Sequence, residues 1–167
     1  YSATKASAEM LVLAYGRTYG LDYIISRSAN NYGERQYEEK LIPKCIASIK
    51  ENKKIPIHGD GTYIRDWTYV KDNVSALLFL CDKYRSENLS NQIFNIAAEN
   101  HMQNLSVVSD ICKEMNVNFE ESIQFVENRW GQDLRYSVSA KKIKNLGWKP
   151  EKPHGNLYLE WINEKDR

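Results

Sequence analysis

Gly20-Leu21-Asp22-Tyr23-Ile24-Ile25-Ser26-Arg27-Ser28-Ala29-Asn30-Asn31-Tyr32-Gly33 carries the clearest fold signal in the chain. Before it, a helix is predicted from about Ser2 to Tyr19, with Met10, Leu11, Leu13, Ala14 and Tyr15 on a broad apolar face and Gly20 suited to the stop. Asp22 to Arg27 then reads as a strand. The run Tyr23-Ile24-Ile25-Ser26 is apolar without strict alternation, which predicts a strand covered on both faces, as in a parallel sheet flanked by helices. A helix feeding such a strand implies α/β architecture. Ser28 to Gly33 falls at the carboxyl end of the strand, where open α/β sheets place their ligands. Side-chain amides at Asn30 and Asn31 both donate and accept, which suits sugar hydroxyls. Asn is equally common where backbones turn, so the pair by itself also reads as turn formers.

Working outward, Lys40 to Glu51 predicts a second helix, with Ile42, Ile46 and Ile49 at helical spacing and Pro43 confined to the first turn. A short strand at Ile55 to His58 ends in the turn signal Gly59-Asp60-Gly61. Asp72 is a candidate cap for a helix reaching about Tyr84, burying Val74, Leu77, Leu78 and Cys81, with Lys71 and Asp72 at a solvated start. Gln92 to Ala97 reads as another buried strand, Leu105 to Met115 as a helix and Ile123 to Val126 as a strand. Ser139 is the expected N-cap for Ala140 to Leu146, Gly147 the residue after that helix, and a last helix is expected from about Gly155 to Asn163. Trp67, Tyr69 and Trp148 are expected to pack in a core.

The bulk properties exclude several function classes. At 167 residues, 42% hydrophobic and 27% charged, the chain has the composition of a folded domain. Its 23 basic and 22 acidic residues are interspersed, so no basic stripe for nucleic acid is present and an anionic ligand must be met by a few placed side chains. No apolar run approaches bilayer length and the first residues carry no signal-peptide pattern, which predicts a cytoplasmic protein without membrane partners. Cys45, Cys81 and Cys112 are widely spaced among aliphatic residues and read as reduced core thiols; His58, His101 and His154 are too scattered to suggest a metal.

Tyr1 and Lys5 lie four residues apart on the first predicted helix, hence on one face. A phenol titrates near ~10, and a neighbouring ammonium favours the phenolate, so the pair can form a proton-transfer device. With 11 Tyr in the chain, roughly one Tyr/Lys pair at this spacing arises by chance, and context must decide. Equally, no strand followed by a glycine-rich turn and a helix is present: Gly59 and Gly61 lead into strand-like residues.

The context is the order and spacing of Tyr1-Ser2-Ala3-Thr4-Lys5, Asn30-Asn31-Tyr32-Gly33, Glu39-Lys40-Leu41-Ile42-Pro43, Ile55 to Gly61, Arg65-Asp66-Trp67-Thr68-Tyr69-Val70, Phe94-Asn95-Ile96-Ala97-Ala98, Asn128 to Tyr136 and Leu146-Gly147-Trp148-Lys149-Pro150. Together they resemble the extended short-chain dehydrogenase/reductase superfamily. Asn30 to Gly33 with Glu39 to Pro43 is similar to the dTDP-glucose 4,6-dehydratases within it. The resemblance covers essentially the whole chain but about the second, C-terminal half of a family member. It implies an α/β fold of extended Rossmann type, with residual parallel-sheet elements at 1–34 and 66–98 from an NAD-binding domain. A small mixed α/β region at 35–65 and 99–167 would bind the nucleotide sugar.

The resemblance further implies that Tyr1 is the catalytic base and Lys5 its partner, both also contacting NAD, with Asn31 a third cofactor contact. Asn30, Lys40 and Leu41 would contact substrate, and Pro56, Ile57 and His58 would line the base pocket. Arg65 and Arg129 would clamp the diphosphate, although each taken alone reads as a surface ion pair. Asn100, Asp133 and Tyr136 would complete the substrate site. Trp130 and Gln132 depart from the family pattern, which has proline and histidine there. The implied reaction oxidises the sugar at C4 with hydride passing to NAD, eliminates water across C5 and C6, and returns the hydride to C6. The dehydration acids and the catalytic Ser/Thr would precede Tyr1, so the isolated chain is expected to be inactive. A nucleotide-sugar 4-epimerase, a UDP-glucuronate decarboxylase and a noncatalytic nucleotide-sugar-binding fragment are the alternatives. A homodimer is expected through the helix bearing Tyr1.

Overall fold

A computed structural model describes residues 1–151. Helix α1 (Ser2–Tyr19) ends at Gly20 and leads into β1 (Ile24–Ser28), as the sequence predicts. β1 pairs in parallel with β5 (Gln92–Ile96). At Ala29 the chain changes partners. The Ala29 N–H donates to the Ile96 carbonyl at 2.9 Å, and from Asn30 the backbone runs on as β2 (Asn30–Tyr32), parallel to β4 (Ile64–Tyr69). β4 also pairs with β6 (His101–Gln103), antiparallel, and with the short β8 (Arg135–Tyr136), parallel. A separate parallel pair joins β3 (Ile55–His58) to β7 (Ile123–Val126).

Two apolar cores follow from this branching. The first gathers Tyr32, Ile42, Cys45 and Ile46 with Ile55 and Ile57 of β3, Trp67 and Tyr69 of β4, and Val107, Val108, Ile111 and Cys112. Its helices are α2 (Leu41–Lys50) and α4 (Asn104–Glu114), each laying one apolar stripe inward. The second core holds Ala29, Ala76, Leu80, Phe94, Ile96 and Ala97 with Ala140, Ile143 and Trp148, around α3 (Val70–Glu87) and α6 (Lys141–Asn145). A four-residue α5 (Phe119–Ser122) precedes β7. Trp67 and Tyr69 thus pack with the first core, and Ala140 to Trp148 with the second. Sequence neighbours are divided between the cores because β4 runs along one and α3 returns to the other.

Several local expectations change. α3 turns Asp72, Asn73, Ala76 and Leu80 inward and leaves Val74, Leu77, Leu78 and Cys81 exposed. Positions 72 and 74 lie about 200° apart on a helix. The segment is apolar on both sides, so periodicity does not identify the packed one. Cys81 is therefore not a core thiol, while Cys45 and Cys112 are buried. Asp72 is neither the cap nor solvated: Tyr69 occupies the N-cap position, and the buried Asp72 carboxylate accepts from the Glu151 N–H at 2.9 Å. α6 begins one residue later than expected, with Ala140 at the N-cap. The helix expected at 155–163 lies outside the described residues. α1 buries no residue, and Met10, Leu11, Tyr15 and Tyr19 are exposed on it. No helix among the described residues is long and apolar enough to cross a membrane.

Candidate functional site

The parting of β1 and β2 opens the site. Beyond Ala29, Asn30 and Asn31 form one wall of a cavity of about 760 Å³, within the range that holds small ligands. Gln36, Glu39 and Lys40 from the following loop form its rim, and Leu41 and Lys44 from the start of α2 continue it. Pro56, Ile57 and His58 of β3 line it as well, followed by Gly61. Arg65 and Trp67 of β4 also line it, with Asn104, Arg129 and Gln132. Nine of the expected site residues come together here: Asn30, Asn31, Lys40, Leu41, Pro56, Ile57, His58, Arg65 and Arg129.

Two properties define what such a cavity takes. Its lining carries the cations Lys40, Lys44, Arg65 and Arg129 against one carboxylate, Glu39, which favours an anionic ligand. Arg65 spends one N–H on the Ile64 carbonyl at 2.8 Å and stands 5.9 Å above the Tyr63 ring, so its guanidinium is oriented while other donors remain for a ligand. The second property is a set of buried polar atoms without hydrogen-bond partners: Asn31 Oδ1, Gln36 Oε1, Gln132 Oε1 and Trp67 Nε1. Buried polar groups are rarely left unpaired, and each lost bond costs about 1–3 kcal/mol. Three acceptors and one donor in the lining of one cation-rich cavity fit a ligand bearing several hydroxyl groups beside its negative charge.

The other lining residues are held by local bonds. His58 Nδ1 contacts the Glu127 carbonyl at 3.0 Å, tying β3 to the end of β7. The Arg129 N–H donates to Asn128 Oδ1 at 2.9 Å, and Asn128 also bonds the Tyr63 hydroxyl. On β4, between Arg65 and Trp67, the fully buried Asp66 lies 3.2 Å from His101 Nε2. Burial pushes the Asp66 carboxyl above its ordinary range, against the opposing pull of His101 and of hydrogen bonds from Thr68 and the Asn100 N–H.

The remaining expected residues lie elsewhere. Tyr1 is 93% exposed at the start of α1, Lys5 is exposed beside it, and neither lines the cavity. Asn100 is buried behind β4 with its Oδ1 unpartnered. Asp133 is exposed, and Tyr136 is partly exposed opposite Arg65 in the β4–β8 register. Lys44, Gln36, Asn104 and Trp67 line the cavity without having been expected there. Lys44 had a legible signal, since it stands one turn after Lys40 at the start of a predicted helix. Gln36 had none, because no periodicity operates in a turn.

Residues 1–97 match the model of the NAD dependent epimerase/dehydratase family. The chain is 41% identical over 162 residues to dTDP-glucose 4,6-dehydratase of Escherichia coli, covering 90% of this chain and 44% of that protein. It is 44% identical over 148 residues to the trifunctional UDP-glucose 4,6-dehydratase/UDP-4-keto-6-deoxy-D-glucose 3,5-epimerase/UDP-4-keto-L-rhamnose-reductase of Arabidopsis thaliana, covering 89% of this chain and 22% of that protein. Among solved structures, dTDP-glucose 4,6-dehydratase from Bacillus anthracis in complex with NAD superposes with a TM-score of 0.89 at 36% identity, covering 99% of this chain and 51% of that one. The chain therefore spans about half or less of the length of these relatives.

Proposed function

This chain belongs to the NAD dependent epimerase/dehydratase family, and from that premise we propose that it forms the nucleotide-sugar-binding part of an NAD-dependent dTDP-glucose 4,6-dehydratase. The observation that carries the reading is the cavity. It combines four cations with unpartnered buried acceptors, the chemistry required by a diphosphate joined to a polyhydroxylated sugar. The Arg65 and Arg129 guanidiniums clamp the diphosphate, for which a planar donor fork is suited. Pro56, Ile57 and His58 line the base pocket. Asn30 and Lys40 orient the sugar. The relatives bearing the 4,6-dehydratase names support the reaction type, and the B. anthracis neighbour supports NAD as the cofactor.

The residues present fit one end of that cofactor. Asn31 offers a buried, unpartnered oxygen, and Tyr1 and Lys5 stand open at the head of α1, while the 167 residues contain no glycine-rich turn for the pyrophosphate. NAD, when bound, supplies the hydride acceptor and returns the hydride. Within this chain, Tyr1, held as phenolate by the Lys5 ammonium beside it, takes the proton of the sugar 4-hydroxyl and becomes the neutral phenol as hydride leaves C4. In this reading 1–34 and 66–98 belong to the cofactor side and 35–65 and 99–167 to the substrate side. The complete protein is a homodimer, supported by the exposed apolar side chains along α1.

The test is the complete gene product incubated with NAD and dTDP-glucose, with the sugar product identified by NMR. A 4-keto-6-deoxy sugar is expected. A galactose epimer, or carbon dioxide released from a nucleotide-linked uronate, would replace the dehydratase with another activity of the family. Absence of any nucleotide-sugar binding would remove the cavity assignment itself.

A further inference from the structure

The loop carrying Gln36 into the cavity has an anchor outside it. Residues 33–36 form a turn closed by the Gln36 N–H on the Gly33 carbonyl at 3.2 Å, with Arg35 in the left-handed region at φ 64°. That conformation is disfavoured for a residue bearing a Cβ, so the turn needs outside contacts to persist. Two are built in. Gly33, at φ 143°, lies so close to the β4–α3 junction that a Cβ there would fall 2.6 Å from Val70 Cγ1 and 3.2 Å from the Tyr69 ring. The second contact is ionic. Glu34 Oε1 accepts from the Tyr69 hydroxyl at 2.6 Å and from Lys71 Nζ at 2.7 Å, and Lys71 Nζ stands 5.6 Å from the centre of the Tyr69 ring.

This anchor differs from an ordinary surface pair. The Glu34 side chain is only 19% exposed and has two donors, one of them on a buried tyrosine. Burial pushes its carboxyl up, but the bonds from Lys71 and Tyr69 overcome that and hold it at about 2. Inside the turn, Gln36 Nε2 donates to the Asn31 carbonyl at 2.8 Å. A carbonyl can only accept, so this bond fixes which end of the amide is nitrogen and leaves Gln36 Oε1 as the buried, unpartnered atom.

We infer that Glu34 is a positioning residue for the cavity: held by Tyr69 and Lys71, it clamps the 33–36 turn so that Gln36 presents its side-chain oxygen to a hydroxyl of the bound ligand. The ligand role of Gln36 rests on the nucleotide-sugar reading above. The clamp itself does not.

The experiment uses the complete gene product, with dTDP-glucose as the probe in calorimetric titrations of wild type, Glu34→Ala, Gln36→Ala and the double variant, each first shown by circular dichroism to be folded. Loss of one ligand hydrogen bond predicts a roughly tenfold weaker affinity for each single variant. Because Glu34 acts through Gln36, the double variant should be no more than about twofold weaker than either single one. In steady state, Glu34→Ala should raise KM while kcat stays within about threefold, since no reacting atom is touched. Unchanged affinity in Glu34→Ala, or penalties that multiply in the double variant, would overturn the positioning role. Hydrogen exchange of residues 33–40 without ligand decides the clamp separately: faster exchange in Glu34→Ala, restored by the charge-swapped pair Glu34→Lys with Lys71→Glu, is expected, and unchanged exchange refutes it. If wild type binds neither dTDP-glucose nor UDP-glucose, the nucleotide-sugar reading and the ligand role of Gln36 fail together, and exchange alone then judges Glu34.

Discussion

Asn30 on β2 stands in register with Trp67 on β4, one residue after Ala29 has given its N–H to Ile96 on the other sheet. One strand direction therefore serves two sheets, and the cavity begins where they part. The site depends on this parting more than on any single loop. It brings the side of Asn31 and the indole of Trp67, both with unpartnered polar atoms, into the same lining.

Arg65 lines the cavity with its guanidinium oriented by the Ile64 carbonyl and the Tyr63 ring. On the nucleotide-sugar reading proposed above, Arg65→Ala in the complete gene product should weaken dTDP binding by about 10- to 100-fold, in line with ~1.5–3 kcal/mol for a charged hydrogen bond. Arg65→Lys should recover only part of this, because an ammonium lacks the planar fork. Titration calorimetry at two salt concentrations checks both, with the wild-type advantage shrinking at the higher one.

Much of the fold was legible where an element is long enough to carry a period or is a compact apolar run, in β3 closed by a turn signal. α1 ends at the predicted Gly20, and β3 and β7 occupy the predicted residues. β2, β6 and β8 contain three, three and two residues, too few for any alternation, so the branched sheet around β4 had no local signal. The same contrast governs the site. Motif positions such as Arg65 and Lys40 were visible in sequence, whereas Gln36 and Asn104 reach the cavity through a turn and a helix start whose placement depends on tertiary contacts.

Glu34 sets an acid limit on the loop at the cavity rim. Its folded carboxyl is held at about 2, below the ordinary 4.5, so the carboxylate stabilises the fold above about pH 4.5 and loses that contribution progressively toward pH 2. Hydrogen exchange or thermal melting between those pH values should show a fall in stability that Glu34→Gln lacks. A variant whose acid profile matches wild type would show that another carboxylate governs the transition.

The three thiols should separate by reactivity. Cys81 is exposed on α3, while Cys45 is buried and its thiol is pushed up to about 12 by that burial. Cys112 is also buried and raised by desolvation. An aromatic disulfide reagent at pH 8 should titrate one thiol rapidly in the native chain and all three after denaturation. Cys81→Ser should remove the fast phase without changing stability by more than about 0.5 kcal/mol, as for a surface substitution.

Ile46 tests whether the first core supports the cavity. It is buried between α2 and the first-core strands, and the start of the same helix supplies Leu41 and Lys44 to the lining. Ile46→Ala removes buried methylenes and should cost about 2–5 kcal/mol, read as a lower denaturation midpoint at unchanged slope. Leu80→Ala in the second core should destabilise by a similar chemistry, but its side chain packs against Phe94 and Ile96 and not against α2. Under conditions where both variants remain folded, and on the nucleotide-sugar reading proposed above, dTDP affinity should fall in Ile46→Ala and hold in Leu80→Ala, because only the former loosens an element that lines the site. Equal losses of affinity would mean that the two cores behave as one unit and that the cavity is built on both.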